Sequence, residues 1–393
     1  VTNKSLFVFA GDVSADRHTA KLLGQLKVMM PELTVWGCGG NQMRAQGVEI
    51  LHDLEQFGVF GIVEVLRSIP FFEKLRKEMV SAIERRKPDA VLLVDFSGFN
   101  LHLAKALRKR NKSLPILYFI SPQVWGSRPW RIKIIAKTVS KMLTIFSFEQ
   151  GLYKNAGVDA VFVGHPLAAM TDNGINDAGQ KEKWCEELEL DSAQPIIGIM
   201  PGSRKQEIID MVPVILQSIA WLQRLTPEIQ FVISQANESI ANEIQKRFER
   251  KLLKLKNNGK VVLAPVAGNQ QIMAHCDILW VKSGTIALEA ALAAKPMLIF
   301  YRANWISYLL FLAFKRVKYV GWPNLLAGFE LVPELMQFDF SAEQLTRRSM
   351  DLLDVPGLRM EMTQELKKIR TTLGGADFPK AAAVEIGKVL GVG

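Results

Sequence analysis

Two series of short, uninterrupted apolar runs, separated by helical patterns, constrain this chain more than any other feature. The first comprises Leu6–Ala10, Thr34–Cys38, Ala90–Val94, Ile116–Ile120 and Met142–Ile145. The second comprises Ile196–Met200, Gln230–Ser234, Val261–Leu263, Ile278–Val281 and Met297–Phe300. A strand without polar alternation is buried on both faces. When helices lie between such strands, a parallel sheet covered on each side meets that condition. Phe72–Arg86 and Leu101–Lys109 read as two of the covering helices, and Pro88 ends the first of them. The expected fold class is therefore α/β, with two Rossmann-like domains whose parallel sheets face a cleft.

The pattern loosens after "VGHPLAAM", where a polar stretch containing "TDNGINDAG" reads as a linker with a short helix. The expected boundaries are a first domain over 1–167, a linker over 168–195, a second domain over 196–370 and a C-terminal segment over 371–393. From Ala342 onward the pattern is helical. A chain of 393 residues is long enough to bury two separate cores.

Composition excludes several classes. A chain with 49% hydrophobic and 22% charged residues is globular, not disordered. No stretch reads as the ~20 apolar residues of a spanning helix, and "VTNKSLFVFAGD" enters a strand without a signal-peptide pattern. Cys38, Cys185 and Cys276 are scattered and odd in number, which points away from a disulfide framework and toward a reducing cytoplasm. The net charge of +10 fits an anionic substrate or an anionic membrane surface. No helix-turn-helix, RNP-type or zinc-finger pattern is present, so nucleic acid is not an expected partner.

In "AVLLVDFSGFN" a single carboxylate, Asp95, stands where a buried strand ends. Ligands of open parallel sheets bind outside the carboxyl ends of the strands. Asp95 is thus a candidate catalytic residue, and the competing assignment is an ordinary cap of the following helix.

The second half carries two loops suited to phosphate. "IIGIMPGSRKQEI" is strand, glycine turn and helix. Gly202 and Ser203 offer backbone N–H groups there, Arg204 a guanidinium fork, and Glu207 follows in the first helical turn. In "LWVKSGTIALEAALAAKPMLIFYR", Ser283, Gly284 and Thr285 again link a strand to a helix. Glu289, one turn further, can accept hydrogen bonds from a ribose diol, and Arg302 adds a cation. Helix capping accounts for each loop singly, but two such loops in one domain favour a nucleotide diphosphate. "GCGG" at 37–40 does not fit a dinucleotide fingerprint. The five histidines lack ligand spacing, so no metal site is expected, and His165 reads as structural.

Six segments taken together resemble the lipid-A-disaccharide synthase family of inverting GT-B glycosyltransferases. They are "GIVEVL" (61–66), "VDFSGFN" (94–100), "ISPQVWGSR" (120–128), "PGSR" (201–204), "SGTIALE" (283–289) and "PNLLAG" (323–328). The resemblance implies transfer of 2,3-diacylglucosamine from its UDP derivative to the 6-hydroxyl of 2,3-diacylglucosamine 1-phosphate. The products are a β-1,6 disaccharide and UDP, and no metal or other cofactor takes part. It also implies a peripheral position on the cytoplasmic face of the inner membrane and a C-terminal helix that crosses back to the first domain. A homodimer is one further partner considered.

Inversion needs a base for the acceptor proton, and Asp95 is the candidate, because partial desolvation at the cleft would raise its pKa. The two loops with Arg204 and Arg302 would hold the donor and its departing diphosphate. Asp12, Ser14, Asp16, Ser121, Trp125 and Asn324 are candidates on the acceptor side or in the cleft. Two apolar segments, 304–322 and 64–77, are candidates for the membrane surface. The chain departs from the family pattern on the acceptor side. "GDVSAD" replaces the usual "GEASGD", so that Asp12 stands for a Glu and Ala15 for a Gly able to take positive φ. Gly98 stands for a common Asp, and Ser127 for a common aromatic. A divergent paralogue acting on another acylated sugar, a UDP-sugar 2-epimerase and a catalytically inactive lipid-binding relative are the alternatives.

Overall fold

The computed structural model describes residues 3–54, 62–126, 128–168, 178–266, 268–303, 308, 317–374 and 377–392. Two compact units are present. One comprises residues 1–169 with 373–393, and the other comprises residues 170–372.

The first unit holds a parallel sheet of β1 (Ser5–Ala10), β2 (Thr34–Gly39), β3 (Glu49–Asp53), β4 (Ala90–Val94), β5 (Ile116–Phe119), β6 (Lys141–Thr144) and β7 (Asp159–Phe162). Its spatial order is β3-β2-β1-β4-β5-β6-β7. The second unit holds β8 (Ile196–Met200), β9 (Gln230–Gln235), β10 (Val261–Val266), β11 (Ile278–Lys282), β12 (Met297–Tyr301) and β13 (Glu334–Met336), in the order β10-β9-β8-β11-β12-β13. All pairings are parallel.

The sequence reading finds every central strand and misses β3, β7 and β13. These three are sheet edges, and the difference is physical. Central β4, β8 and β1 are buried almost throughout, whereas "EILHD", "DAVF" and "ELM" are mostly half-exposed and carry polar residues. An edge strand has one flank without a sheet neighbour and needs no continuous apolar run.

In each sheet the strand order reverses once among the central strands. In the first unit this happens between β1 and β4, where Ala10 pairs with Val94. In the second it happens between β8 and β11, where Met200 pairs with Val281. At such a reversal the two following connections diverge to opposite faces, leaving a crevice at the carboxyl ends. Asp12 and Asp95 follow β1 and β4; "PGSR" and "SGT" follow β8 and β11.

Glycines make the first sheet tight. Gly37, at φ +152°, has its missing Cβ position 1.9 Å from the Val8 carbonyl oxygen, so any side chain there would separate β1 from β2. The helix Phe378–Leu390 belongs to this unit and packs on the helix Val13–Met29. Phe378 stacks on Phe119 at 6.3 Å and meets His18 edge-on at 6.1 Å, while Glu385 accepts from Lys141 at 2.6 Å.

One expectation needs correction. The helix Lys205–Leu225 is long and apolar enough, by length and composition, to cross a membrane. Half of its apolar window is buried within the unit, against the helices Glu238–Asn258 and Ala342–Asp354, so its apolar face serves as core.

Candidate functional site

Asp95 and Phe96 both adopt left-handed backbone, at φ +44° and +42°. That conformation is unfavourable for residues with a Cβ and persists only where surroundings over-determine it. Here the Asp95 carbonyl accepts from the Tyr118 hydroxyl at 2.5 Å and from Asn100 Nδ2 at 2.9 Å, while Asp95 N–H donates to Phe119. The Phe96 ring packs among Phe9, Phe72 and Phe99. It lies so close to Gly11 that a Cβ there would come within 2.4 Å of the ring. The following helix, Ser97–Arg110, is capped by Phe96 without a side-chain hydrogen bond, so the Asp95 carboxylate is not its cap.

Asp95 is half-buried and lines a cavity of 290 Å³ together with Ser97, Ser121, Val124, Arg128 and Arg131. Burial pushes its carboxyl up to about 6. The neighbouring Asp12 charge adds to that rise, and the Phe96 N–H opposes it.

The other acidic residues of "GDVSAD" have structural partners. Asp12 caps the helix Val13–Met29, accepting from Ala15 N–H at 2.8 Å. Asp16 is a correction to the sequence expectation. It is buried, and its carboxylate accepts from the N–H groups of Gly40, Gln42 and Met43 at 2.9, 3.0 and 3.1 Å. Asp16 therefore holds the turn of the short helix Asn41–Ala45, and the tight fit explains "GCGG": a Cβ at Gly40 would lie 2.8 Å from Asp16 Oδ2. Ser14 is exposed in the first turn. Ala15 is helical and buried at negative φ, so the missing family glycine deprives this position of nothing it uses.

Ser121 is buried at the cavity wall. Behind it, Trp125 Nε1 donates at 3.0 Å to Glu149, a buried acid that sequence reasoning missed. Burial raises the Glu149 carboxyl to about 7, against the hydrogen bond from Trp125. Trp125 thus orients an acid inside the unit. Gly98 has open space around its Cβ position, and Ser127 lies outside the described residues.

In the second unit both loops meet at the reversal between β8 and β11. Gly202, at φ +123°, leaves room for Glu207: a Cβ would sit 2.4 Å from Glu207 Oε2. The Glu207 carboxylate accepts from Ser203 N–H and Arg204 N–H at 3.2 and 3.3 Å, and pairs with Arg204 at 3.2 Å and Lys282 at 2.8 Å. With its oxygens committed to Ser203, Arg204 and Lys282, Glu207 shapes the loop and is not placed to bind a ligand directly. The Glu207–Lys282 pair ties one loop to the other, and Lys282, the last residue of β11, is a cation that sequence reasoning passed over. Arg204 remains 77% exposed at the mouth of its loop. Ser283 and Gly284 precede the helix Thr285–Leu292, with Gly284 at φ +152° as its cap, and Glu289 is half-buried one turn on. Arg302 donates to the Phe340 carbonyl at 2.7 Å and lies over the Phe340 ring, which anchors it after β12.

Asn324 is the second correction. It is fully buried in "PNLLAG". Its Nδ2 donates to the Val332 carbonyl and to Glu334, and its Oδ1 accepts from Leu331 and Val332 N–H, all at 2.7–2.8 Å. Both amide hydrogens and both lone pairs are filled by the chain, so this amide fastens a loop and has nothing left for a ligand.

Two further segments are described only in part. Of 304–322, residues 304–307 and 309–316 lie outside the described residues. Of "GIVEVL", Gly61 lies outside them, and 62–66 belong to the helix Ile62–Arg86. Within 64–77, Phe72 turns inward onto Phe96 and Phe99, while Ile69 is 51% exposed.

Comparison with known proteins follows the same lines. A family model described as lipid-A-disaccharide synthetase matches residues 6–374. Lipid-A-disaccharide synthase 1 of Legionella pneumophila (strain Lens) is 34% identical over 370 residues, covering 94% of this chain and 93% of that protein. The lipid-A-disaccharide synthase of Myxococcus xanthus is 34% identical over 386 residues, covering 98% and 97%. Among solved structures, UDP-GlcNAc 2-epimerase from Neisseria meningitidis, bound to UDP-GlcNAc, aligns with a TM-score of 0.61 at 15% identity over 98% of this chain and 99% of that one. A glycosyltransferase from Rickettsia africae aligns at 0.58 and 14% identity over the whole of both chains. At such identities these structures show the fold alone: two Rossmann-like units, as in GT-B enzymes.

Proposed function

The chain belongs to the lipid-A-disaccharide synthase family of hexosyltransferases, and from that premise we propose that it transfers 2,3-diacylglucosamine from its UDP derivative to 2,3-diacylglucosamine 1-phosphate. In this reading Asp95 takes the proton of the acceptor 6-hydroxyl. The freed oxygen attacks the donor's anomeric carbon from the face opposite UDP, the bond to the diphosphate breaks, and a β-1,6 disaccharide and UDP result. The departing diphosphate carries the developing charge, and Arg204 with the N–H groups of the 283–285 loop would stabilise it. Glu289 would hold the ribose, and Glu207 and Lys282 would keep the two loops in register.

The observation that carries the reading is Asp95 itself. It is a carboxylate at the sheet's reversal point, on a backbone held left-handed by Tyr118 and Asn100, facing a cavity, not capping a helix, and raised to about 6. A base with such a pKa is ionised at neutral pH yet basic enough to draw a proton as the hydroxyl attacks. The test is UDP release from the UDP-sugar with and without acceptor. Acceptor-dependent release with disaccharide formation supports the reading. Acceptor-independent conversion would indicate a 2-epimerase, and neither activity would indicate a binding protein.

The proposed site of action is the cytoplasmic face of the inner membrane, reached peripherally. The support is the net charge of +10 and the apolar-then-basic segment 304–322. Binding to vesicles containing anionic lipid should fall as salt rises, and equal binding to neutral vesicles would overturn this placement.

A further inference from the structure

The cavity beside Asp95 holds two cations that the reaction as described leaves without a part. Arg128 and Arg131 both line it. Arg131 donates to Ser97 Oγ at 2.9 Å, and among the described residues no carboxylate lies within ion-pair distance of either guanidinium. Arg128 is exposed, whereas Arg131 is half-buried, and burial together with the Arg128 charge lowers the Arg131 pKa. Asp95 lines the same cavity without an ion pair to either guanidinium.

Two like charges held side by side in a concave site repel each other and lose hydration. The fold retains that arrangement with no carboxylate among the described residues at ion-pair distance, which is the electrostatic signature of a site completed by an anionic ligand. Guanidinium forks match the oxygens of a phosphate, each offering paired N–H donors. The 290 Å³ volume lies at the lower end of the ~300–1,000 Å³ range for ligand pockets, the scale of one sugar and not of a nucleotide sugar or acyl chains.

We infer that Arg128 and Arg131 receive the 1-phosphate of the acceptor sugar and thereby turn its 6-hydroxyl toward Asp95. The inference rests on the acceptor assigned above. C1, which bears the phosphate, and C5, which bears the primary hydroxymethyl group, flank the ring oxygen, so fixing the phosphate in a cavity whose wall includes Asp95 holds the 6-hydroxyl on the same edge of the sugar and within its reach. The arginines are therefore positioning residues. They select an acceptor that carries a phosphate monoester and direct the linkage to its primary hydroxyl.

The experiment compares the wild type with Arg128→Gln, Arg131→Gln and Arg131→Lys. It measures affinity for glucosamine 1-phosphate, glucosamine and UDP by calorimetry, and KM for donor and acceptor by UDP release. Loss of one charge-assisted contact should weaken glucosamine 1-phosphate and raise acceptor KM roughly ten- to a hundredfold in the Gln variants. UDP affinity and donor KM should stay at wild-type values, and Arg131→Lys should recover part of the loss. An acceptor without phosphate should be equally poor for all four proteins. Arg128→Gln alters an exposed side chain, so its effect cannot be assigned to misfolding. Wild-type affinity for glucosamine 1-phosphate in both Gln variants would overturn the inference, as would equal losses for glucosamine and its phosphate. The two readings fail separately. Arginine-dependent phosphate binding in a protein that forms no disaccharide removes the proposed reaction and keeps the anion site. Disaccharide formed at wild-type acceptor KM by both Gln variants keeps the reaction and removes the site.

Discussion

The two sheets reverse their strand order in the same way, yet the residues placed at the two reversals differ in kind. After β8 and β11 come glycine turns, helix starts and the buried Glu207–Lys282 pair, so the polar groups on offer are mostly backbone N–H. After β1 and β4 come Asp12 and Asp95, the latter with a raised carboxyl in a cavity it shares with two arginines that have no ion-pair partner among the described residues. The shared topology decides where a ligand can sit. The few residues after each strand decide what the crevice can do: in the proposed reaction one would hold a charge that is already present and the other would move a proton.

The sharpest way to break that contrast is Asp95→Asn. If Asp95 moves the proton, turnover should fall by roughly 10²–10⁴ with UDP affinity unchanged. An Asn that retains more than about a tenth of the rate would remove Asp95 as base. In the wild type the base must be ionised, so kcat/KM should decline about tenfold per pH unit below its pKa of about 6. Stability should show the opposite preference. The folded-state pKa is raised, so the stability Asp95 contributes is present below its ordinary value and is lost as pH rises through about 6. Relative to wild type, Asp95→Asn should therefore show a more favourable shift in Tm at pH 7 than at pH 4.

Arg204→Ala addresses the other crevice and should be the next largest effect. UDP affinity should drop roughly ten- to a hundredfold through loss of a charge-assisted contact. Folding should be intact, because the side chain is largely exposed. Calorimetry with UDP decides it, and an unchanged affinity would leave the loop without its assigned role.

Asp16→Ala separates the two acids of one motif. Three buried N–H groups lose their acceptor, which should cost about 1–3 kcal/mol in denaturant unfolding. The rate per folded molecule should stay near wild type, and a selective loss of turnover would return Asp16 to the reaction. The smallest effect is expected from Ala15→Gly, which restores the family residue inside a helix. It should destabilise by up to about 1 kcal/mol and gain no activity.

These variants also mark how far the chain could be read without its fold. The central strands, both glycine turns and the place of Asp95 were legible, because each depends on local pattern: continuous apolar runs, φ freedom, and a carboxylate where a run stops. The roles of Asp16, Glu207 and Asn324 were not. A polar residue near a motif looks the same whether its oxygens meet a ligand or the chain. Asp16 finds the N–H groups of residues 40–43, Glu207 finds Lys282, and Asn324 finds Leu331, Val332 and Glu334. Arg128 and Arg131 were passed over for the converse reason. In a chain of net charge +10 an arginine is unremarkable until its surroundings show that, among the described residues, no carboxylate lies at ion-pair distance from it.

The sequence by itself determined the two parallel sheets and the loops at their carboxyl ends, because burial periodicity and turn chemistry are properties of neighbouring residues; the family was legible through the resemblance of six segments. Only the tertiary structure decided which polar groups remain available to a substrate, because hydrogen-bond and ion-pair partners come from distant parts of the chain. A carboxylate already accepting three N–H bonds and one raised toward neutrality by burial are the same residue type in the sequence.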